Sequence, residues 1–261
     1  MDSDLELAFH LVDLADAETA RRWNSRGQSS RMKGDGTPVT EADIAAEEAM
    51  ARALRRARPA DGFLGEEVGE HSGRGGRRWI ADGIDGTRFF AAGRETWGTL
   101  LALEIDGRVV LGVSSSPIQG RRWWATRGLG AFTARTGGSN ATQMRVSART
   151  VASPDRVACL PSMDALSPGR QEGLEQLAGG RPVDHAWSHQ NRVADGEVDL
   201  CIWYAGDIWD HAAPSIIVEE AGGRFTDHCG GSRLDTRTAV YSNAIGHEEV
   251  LDVLRGVEDE P

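Results

Sequence analysis

The stretch that most restricts how this chain can fold runs from Trp79 to Thr87 and reads Trp-Ile-Ala-Asp-Gly-Ile-Asp-Gly-Thr. Its bulky, branched start predicts a strand, and the two Asp-Gly steps predict that the strand ends in a tight turn. Asp82 and Asp85 then crowd carboxylate oxygen at one strand end, with the Thr87 hydroxyl two residues further on. Two carboxylates held a turn apart destabilise each other unless a positive charge lies between them, because burial and like charge both disfavour ionisation. Hard divalent cations such as Mg²⁺ meet that need, taking one or two carboxylates plus phosphate oxygens. Asp-Gly is also a common surface turn, so the stretch alone leaves both a metal site and a solvated turn open.

Upstream, Leu5, Ala8, Val12 and Ala15 recur at helical spacing and predict an amphipathic helix from Leu5 to about Trp23. Residues 24–36 are polar and read as a loop carrying Lys33, the only lysine in the chain. Thr40 and Asp43 form a capping-box-like pair that opens an alanine-rich helix ending near Arg58-Pro59. A short strand from Asp61 to Gly65 leads to the adjacent carboxylates Glu66 and Glu67, with a loop behind them; a solvated acidic turn fits these residues too.

Beyond Thr87, Trp97 to Ile105, the turn Asp106-Gly107, and Arg108 to Ser115 read as a β-hairpin. Arg121–Thr126 and Ala131–Thr133 continue the meander, with Trp123 and Trp124 on opposite faces. After Gly137-Gly138 the pattern changes to alternating strands and helices. Strands fall at Val157–Leu160, Val198–Trp203, Arg224–Thr226 and Ala239–Ser242. Helices are expected over Pro168–Leu177, over Trp187–Ala194, from Trp209-Asp210 and from His247. That alternation predicts an α/β architecture, with a boundary near residue 148 and one cleft shared by residues 1–148 and 149–261. Asp210 lies at a helix start, where the helix dipole and capping alone would favour an aspartate.

With 29 basic against 40 acidic residues and a net charge of −11, the 261-residue chain does not read as a general nucleic-acid binder. An anionic substrate stays open, because a bound metal inverts the local field. Three cysteines without C-x-x-C spacing point to a reduced protein with neither a disulfide frame nor a zinc site. The acidic start and the lack of any run of membrane-spanning length predict no membrane and a cytoplasmic location.

Taken together, Gly65-Glu66-Glu67, Asp82-Gly83-Ile84-Asp85-Gly86-Thr87, Trp209-Asp210-His211-Ala212-Ala213 and Glu219-Glu220-Ala221-Gly222-Gly223 closely resemble the inositol monophosphatase superfamily. Trp97–Leu103 and Gly120–Gly128 look like its histidinol-phosphatase branch. The resemblance implies a layered αβαβα sandwich and Mg²⁺-dependent hydrolysis of a small-molecule phosphate monoester by a homodimer. It implies that Glu66, Asp82 and the Ile84 carbonyl hold one metal, that Asp82, Asp85 and Asp210 hold a second, and that Glu66 serves a weaker third. It also implies that Thr87 orients the attacking water with Asp43 as its partner, and that Glu67 helps position water. The amides of Gly86 and Thr87 suit phosphate oxygens, and Asp85 and Asp210 face the substrate.

The chain departs from the family pattern at three places. Gly83 stands where the family has proline, which is expected to loosen the metal loop. Arg88-Phe89 stands where a customary polar pair is found, so a polar side chain near the site is lost. Trp203 replaces a glutamate that contacts substrate hydroxyl or amino groups. His185 and His189, four apart on an expected helix, read as substrate contacts or polar surface rather than metal ligands. The chemistry thus looks intact and the recognition rewritten. A histidinol-phosphate-like substrate competes with an inositol, sugar, cyclitol or nucleoside monophosphate, and a scaffold that has lost turnover is a third reading.

Overall fold

The computed structural model describes residues 3–23, 30–34, 36–138, 140–160, 167–178, 181–182, 189–204 and 206–256. Side-chain alternation along two sheets produces a five-layer stack in the order helix, sheet, helix, sheet, helix. The first sheet has eight strands in the order β10-β9-β8-β7-β6-β5-β3-β4. These are β3 (Gly62–Gly65), β4 (Gly69–His71), β5 (Arg77–Asp85), β6 (Gly98–Ile105), β7 (Arg108–Ser116), β8 (Arg121–Thr126), β9 (Gly130–Arg135) and β10 (Thr142–Gln143). All neighbours are antiparallel except the parallel pair β3 and β5.

Because successive strand residues point to opposite faces, Trp79, Ala81, Leu101 and Leu103 pack under α1 (Ser3–Trp23) and α2 (Glu41–Ala57). Ile80, Leu100 and Ala102 face the other way, into a core built with α5 (His189–Ala194) and α6 (Ile208–Glu220). The second sheet, order β12-β11-β13-β15-β14, closes that core from beyond. It comprises β11 (Val157–Cys159), β12 (Arg181–Pro182), β13 (Leu200–Trp203), β14 (Arg224–Thr226) and β15 (Ala239–Ser242). Its outer face carries α4 (Pro168–Ala178) and α7 (His247–Arg255), packed on Ala158, Leu200, Ile202 and Val240. The expected mixed α/β sandwich is therefore the observed one, and Trp123 and Trp124 do split between the two faces.

Local differences from the sequence reading have simple causes. Ser30–Met32, inside the expected loop, forms β1 and pairs with β2 (Pro38–Thr40); three exposed residues carry no alternation to read. The acidic loop after Glu67 likewise contains the short β4. Strand β5 does not stop before Asp82 but runs on to Asp85. His185 lies outside the described residues, as does the side chain of His189. Among the described residues no helix is long and apolar enough to cross a membrane.

Candidate metal centre

In a regular strand, residues three apart point to opposite faces, so Asp82 and Asp85 could not share a site on an unbroken β5. A bulge resolves this. Asp82 pairs with Leu100 and Asp85 with Gly98, so β5 spends one more residue than β6 over this step. The bulged backbone is satisfied from three sides: Ile84 N–H donates to Asp82 Oδ1 at 2.8 Å, Thr99 Oγ1 donates to Gly83 O at 3.1 Å, and Gly83 N–H donates to Glu47 Oε1 at 3.3 Å. Meanwhile the Ile84 side chain is buried with Ala42, Phe90 and Trp97, which turns its carbonyl toward Thr87.

Asp82 shares the α6 face with Ile80, and α6 supplies the third carboxylate. Asp210 stands one turn into α6, its Oδ2 accepting from the Asp207 N–H at 2.6 Å. One carboxylate oxygen each from Asp82, Asp85 and Asp210 lie within 4.8 Å of one another. The charged neighbours that act most on Asp82 are Glu66, Asp85, Asp210 and Glu47, all acidic; burial first, then these charges, push its carboxyl well above the usual range. Asp210 is pushed up the same way, by desolvation first and then by Asp85. Such a donor set, hard oxygens in which the strongest charged neighbours of Asp82 and Asp210 are all acidic, fits Mg²⁺ or a similar divalent ion.

Glu66 is not part of that triad. Lys33 Nζ holds it at 2.5 Å and holds Glu67 Oε1 at 2.8 Å, so both carboxylates are tied to the β1–β2 hairpin. Burial raises the Glu66 carboxyl despite the ammonium beside it. Lys33 in turn is pushed up by its bonds to Glu66 and Glu67 against the opposing effect of burial.

Helix α2 places the remaining groups. Its capping box forms as the sequence predicts, with Asp43 Oδ2 accepting from Thr40 N–H at 3.0 Å. The other oxygen of Asp43 lies 2.8 Å from Thr87 Oγ1, which is also 3.0 Å from Ile84 O. Burial raises the Asp43 carboxyl, opposed by its bonds to Thr40 and Thr87. Gly86 takes a left-handed φ of 92° just before the short α3 (Thr87–Ala91); an L side chain there would be strained.

Two features escaped the sequence reading. Glu47, fully buried on α2, accepts from Glu67 N–H (2.9 Å), Val68 N–H (3.0 Å) and Gly83 N–H (3.3 Å). Burial pushes its carboxyl up to about 8 against the pull of those amides. Its one sequence signal was position: four residues after Asp43, on the same helical face. Gly83, expected to loosen the loop, instead anchors it through the N–H that a proline lacks.

Trp203 ends β13 half-buried and leans on the apolar core, as do Ile208 and Trp209. Phe89 takes Arg88 and Arg94 guanidinium groups at 4.6 and 5.2 Å from its ring centroid, while Phe90 packs into the Trp23–Trp97 cluster.

A layered α/β fold with three converging carboxylates, one of them from a distant helix start, has the donor set of a divalent-cation site of the kind hydrolytic enzymes use. Residues 2–257 match the inositol monophosphatase family, and the chain belongs to it. It is 40% identical over 259 residues to a histidinol-phosphatase of Streptomyces coelicolor, covering 96% of each chain. It is also 40% identical to a Streptomyces griseus protein named glucose-1-phosphate thymidylyltransferase, covering 92% of each. Among solved structures, the extragenic suppressor protein suhB of Bartonella henselae superposes with a TM-score of 0.84 at 28% identity, covering 98% of this chain and all of that one.

Proposed function

We propose that this chain is a Mg²⁺-dependent phosphomonoesterase acting on a small molecule, with a histidinol-phosphate-like substrate as the first candidate. The convergence of Asp82, Asp85 and Asp210 within 4.8 Å carries the reading. In it, these three residues hold one ion; Glu66, Asp82 and the Ile84 carbonyl hold another; and Glu66 contributes to a weaker third. When bound, Mg²⁺ supplies Lewis-acid neutralisation of charge on the phosphoryl oxygens.

The side chains do the rest. Thr87 directs its hydroxyl proton at Asp43 or the Ile84 carbonyl, which leaves its lone pairs to accept from a water and aim it at phosphorus. Glu67 steadies that water from the far side of the acidic turn, and the amides of Gly86 and Thr87 receive phosphate oxygens. Residues 1–148 supply most of these groups. Residues 149–261 supply Asp210 and, across the shared cleft, substrate contacts from Trp203 and the His185 and His189 region. A cytoplasmic homodimer completes the reading.

The names of the relatives keep a second substrate class in play, since a sugar 1-phosphate figures in one of them. The test is phosphate release with Mg²⁺ from histidinol phosphate, inositol 1-phosphate, glucose 1-phosphate and adenosine monophosphate. The expected result is turnover of at least one, abolished by chelation. Turnover of others but not histidinol phosphate would move the substrate to the second class. Silence across the panel from a protein that still binds Mg²⁺ would favour the scaffold.

A further inference from the structure

Glu47 poses a physical problem. It is completely buried, it sits among the acidic residues Glu66 and Asp82, and no ion pair joins it to a cation among the described residues. A buried carboxyl so placed is destabilising unless its oxygens are needed. Here both oxygens are engaged by backbone donors. Oε2 accepts from Glu67 and Val68, on the turn that carries Glu66 and Glu67. Oε1 accepts from Gly83, inside the bulge between Asp82 and Asp85. One side chain thus bridges two acidic turns that lie on different strands, and its oxygens point at amides rather than at the carboxylate triad.

The clamp is complete in the ionised form, which a nearby divalent cation favours against the burial that raises this carboxyl. Three N–H donors from two directions require an acceptor on each side, and glutamine would turn an amide NH₂ toward one of them. Two glycines make the room. A Cβ on Gly65 would lie 2.3 Å from Glu47 Oε2, and a Cβ on Gly83 would lie 2.8 Å from Asp43 O and 3.2 Å from Glu47 Cγ. Gly83 therefore serves α2 twice, by lacking a side chain and by keeping an N–H.

We propose that Glu47 is a positioning residue that holds the Glu66–Val68 turn and the Asp82–Asp85 bulge at metal-binding spacing, and that Gly83 replaces a proline in this chain because its N–H closes the clamp. This rests on the metal-site reading above. Glu47 is not itself a ligand; it acts through the backbone of the residues that are.

The test is calorimetric titration of Mg²⁺ into metal-free wild type, Glu47→Gln, Gly83→Pro and the double variant, with the thermal midpoint of each metal-free protein and substrate KM at saturating Mg²⁺. Glu47→Gln is expected to weaken Mg²⁺ binding by about 10- to 100-fold, the range typical of groups that orient metal ligands. Substrate KM and the metal-free midpoint should stay near wild type. Gly83→Pro removes the longest of the three bonds and adds a Cβ 2.8 Å from Asp43 O that the backbone must relieve; with the bonds to Glu67 and Val68 kept, it should weaken binding less than Glu47→Gln. The double variant should be no weaker than Glu47→Gln, because the amide's single acceptor oxygen stays with the two shorter bonds at Glu67 and Val68.

A merely structural Glu47 would lower the midpoint and leave Mg²⁺ affinity unchanged, and that result overturns the proposal. Strict additivity of the two substitutions overturns the role given to Gly83. Should Glu47→Gln fail to fold, unaltered affinity in Gly83→Pro overturns the clamp on its own. Wild-type protein that binds no Mg²⁺ overturns the clamp together with the metal-site reading, an outcome distinct from normal wild-type binding with indifferent variants.

Discussion

Around Asp82 the chain turns under directional control, whereas around Trp203 it is held by packing. The bulge has its Ile84 N–H answered by Asp82, its Gly83 N–H by Glu47 and its Gly83 carbonyl by Thr99. Trp203 is a half-buried ring resting on an apolar core. Hydrogen bonds fix an atom to within tenths of an ångström and fail when one partner is lost; apolar packing is non-directional and tolerates exchange at similar volume. On the proposed reading, catalysis lies on the directional side and recognition on the packed one, so the two should differ in tolerance to substitution.

Substitution on the directional side should have the largest effect. Asp85→Asn removes a carboxylate from the triad and with it several kcal/mol of charge stabilisation, which at 1.36 kcal/mol per decade means a loss of about 10³-fold in kcat. The metal-free protein should be no less stable, since like-charge repulsion is relieved; steady-state kinetics with a melting curve checks both. Near-normal turnover would contradict the assignment. Thr87→Val should cost about 10²-fold in kcat, the low end for a group that handles a proton in the transition state. Mg²⁺ affinity should be retained, and a proportional loss of metal binding would instead make Thr87 a structural prop.

Next in size is a pH effect on stability. The carboxyls of Asp82 and Asp210 titrate well above 3.8 in the fold, so the metal-free native state binds more protons than the unfolded chain once pH exceeds that value. Stability is then fully present at low pH and is lost as pH rises through the raised native values. Scanning fluorimetry as pH is raised from 3.8 should show the metal-free midpoint falling, and the gap to the Mg²⁺-loaded protein widening. A gap independent of pH would mean that these carboxyls do not meet the ion.

The smallest effect belongs to the packed side. Trp203→Glu should leave kcat on the preferred substrate within about tenfold and shift relative kcat/KM toward hydroxylated or amino substrates by 10- to 200-fold at about the scale of one pocket contact. An unchanged panel profile would reduce Trp203 to core packing.

How much of this was legible in the sequence follows the same division. The apolar runs on either side of the Asp106-Gly107 turn, whose φ values of 50° and 77° are those of a tight hairpin, made the centre of the first sheet legible. The Thr40–Asp43 cap was equally readable, because capping depends on local spacing. The bulge was not, because a register shift belongs to the pairing of β5 with β6 and leaves no mark on β5 alone. Glu47 was hidden among alanines, since its partners Glu67, Val68 and Gly83 are 20 or more residues away. Lys33 stood out only as the lone lysine, and the structure supplies its partners, Glu66 and Glu67. The substrate side was least legible, because half-buried aromatic residues serve a core and a pocket equally well.

If acidic residues from β5 and α6 converge to bind divalent cations, anomalous diffraction from a crystal soaked in Mn²⁺, an all-oxygen substitute for Mg²⁺, will show it. A strong peak is expected within coordination distance of Asp82, Asp85 and Asp210, absent in Asp85→Asn. A map with no peak there, or with manganese only elsewhere on the surface, would contradict it.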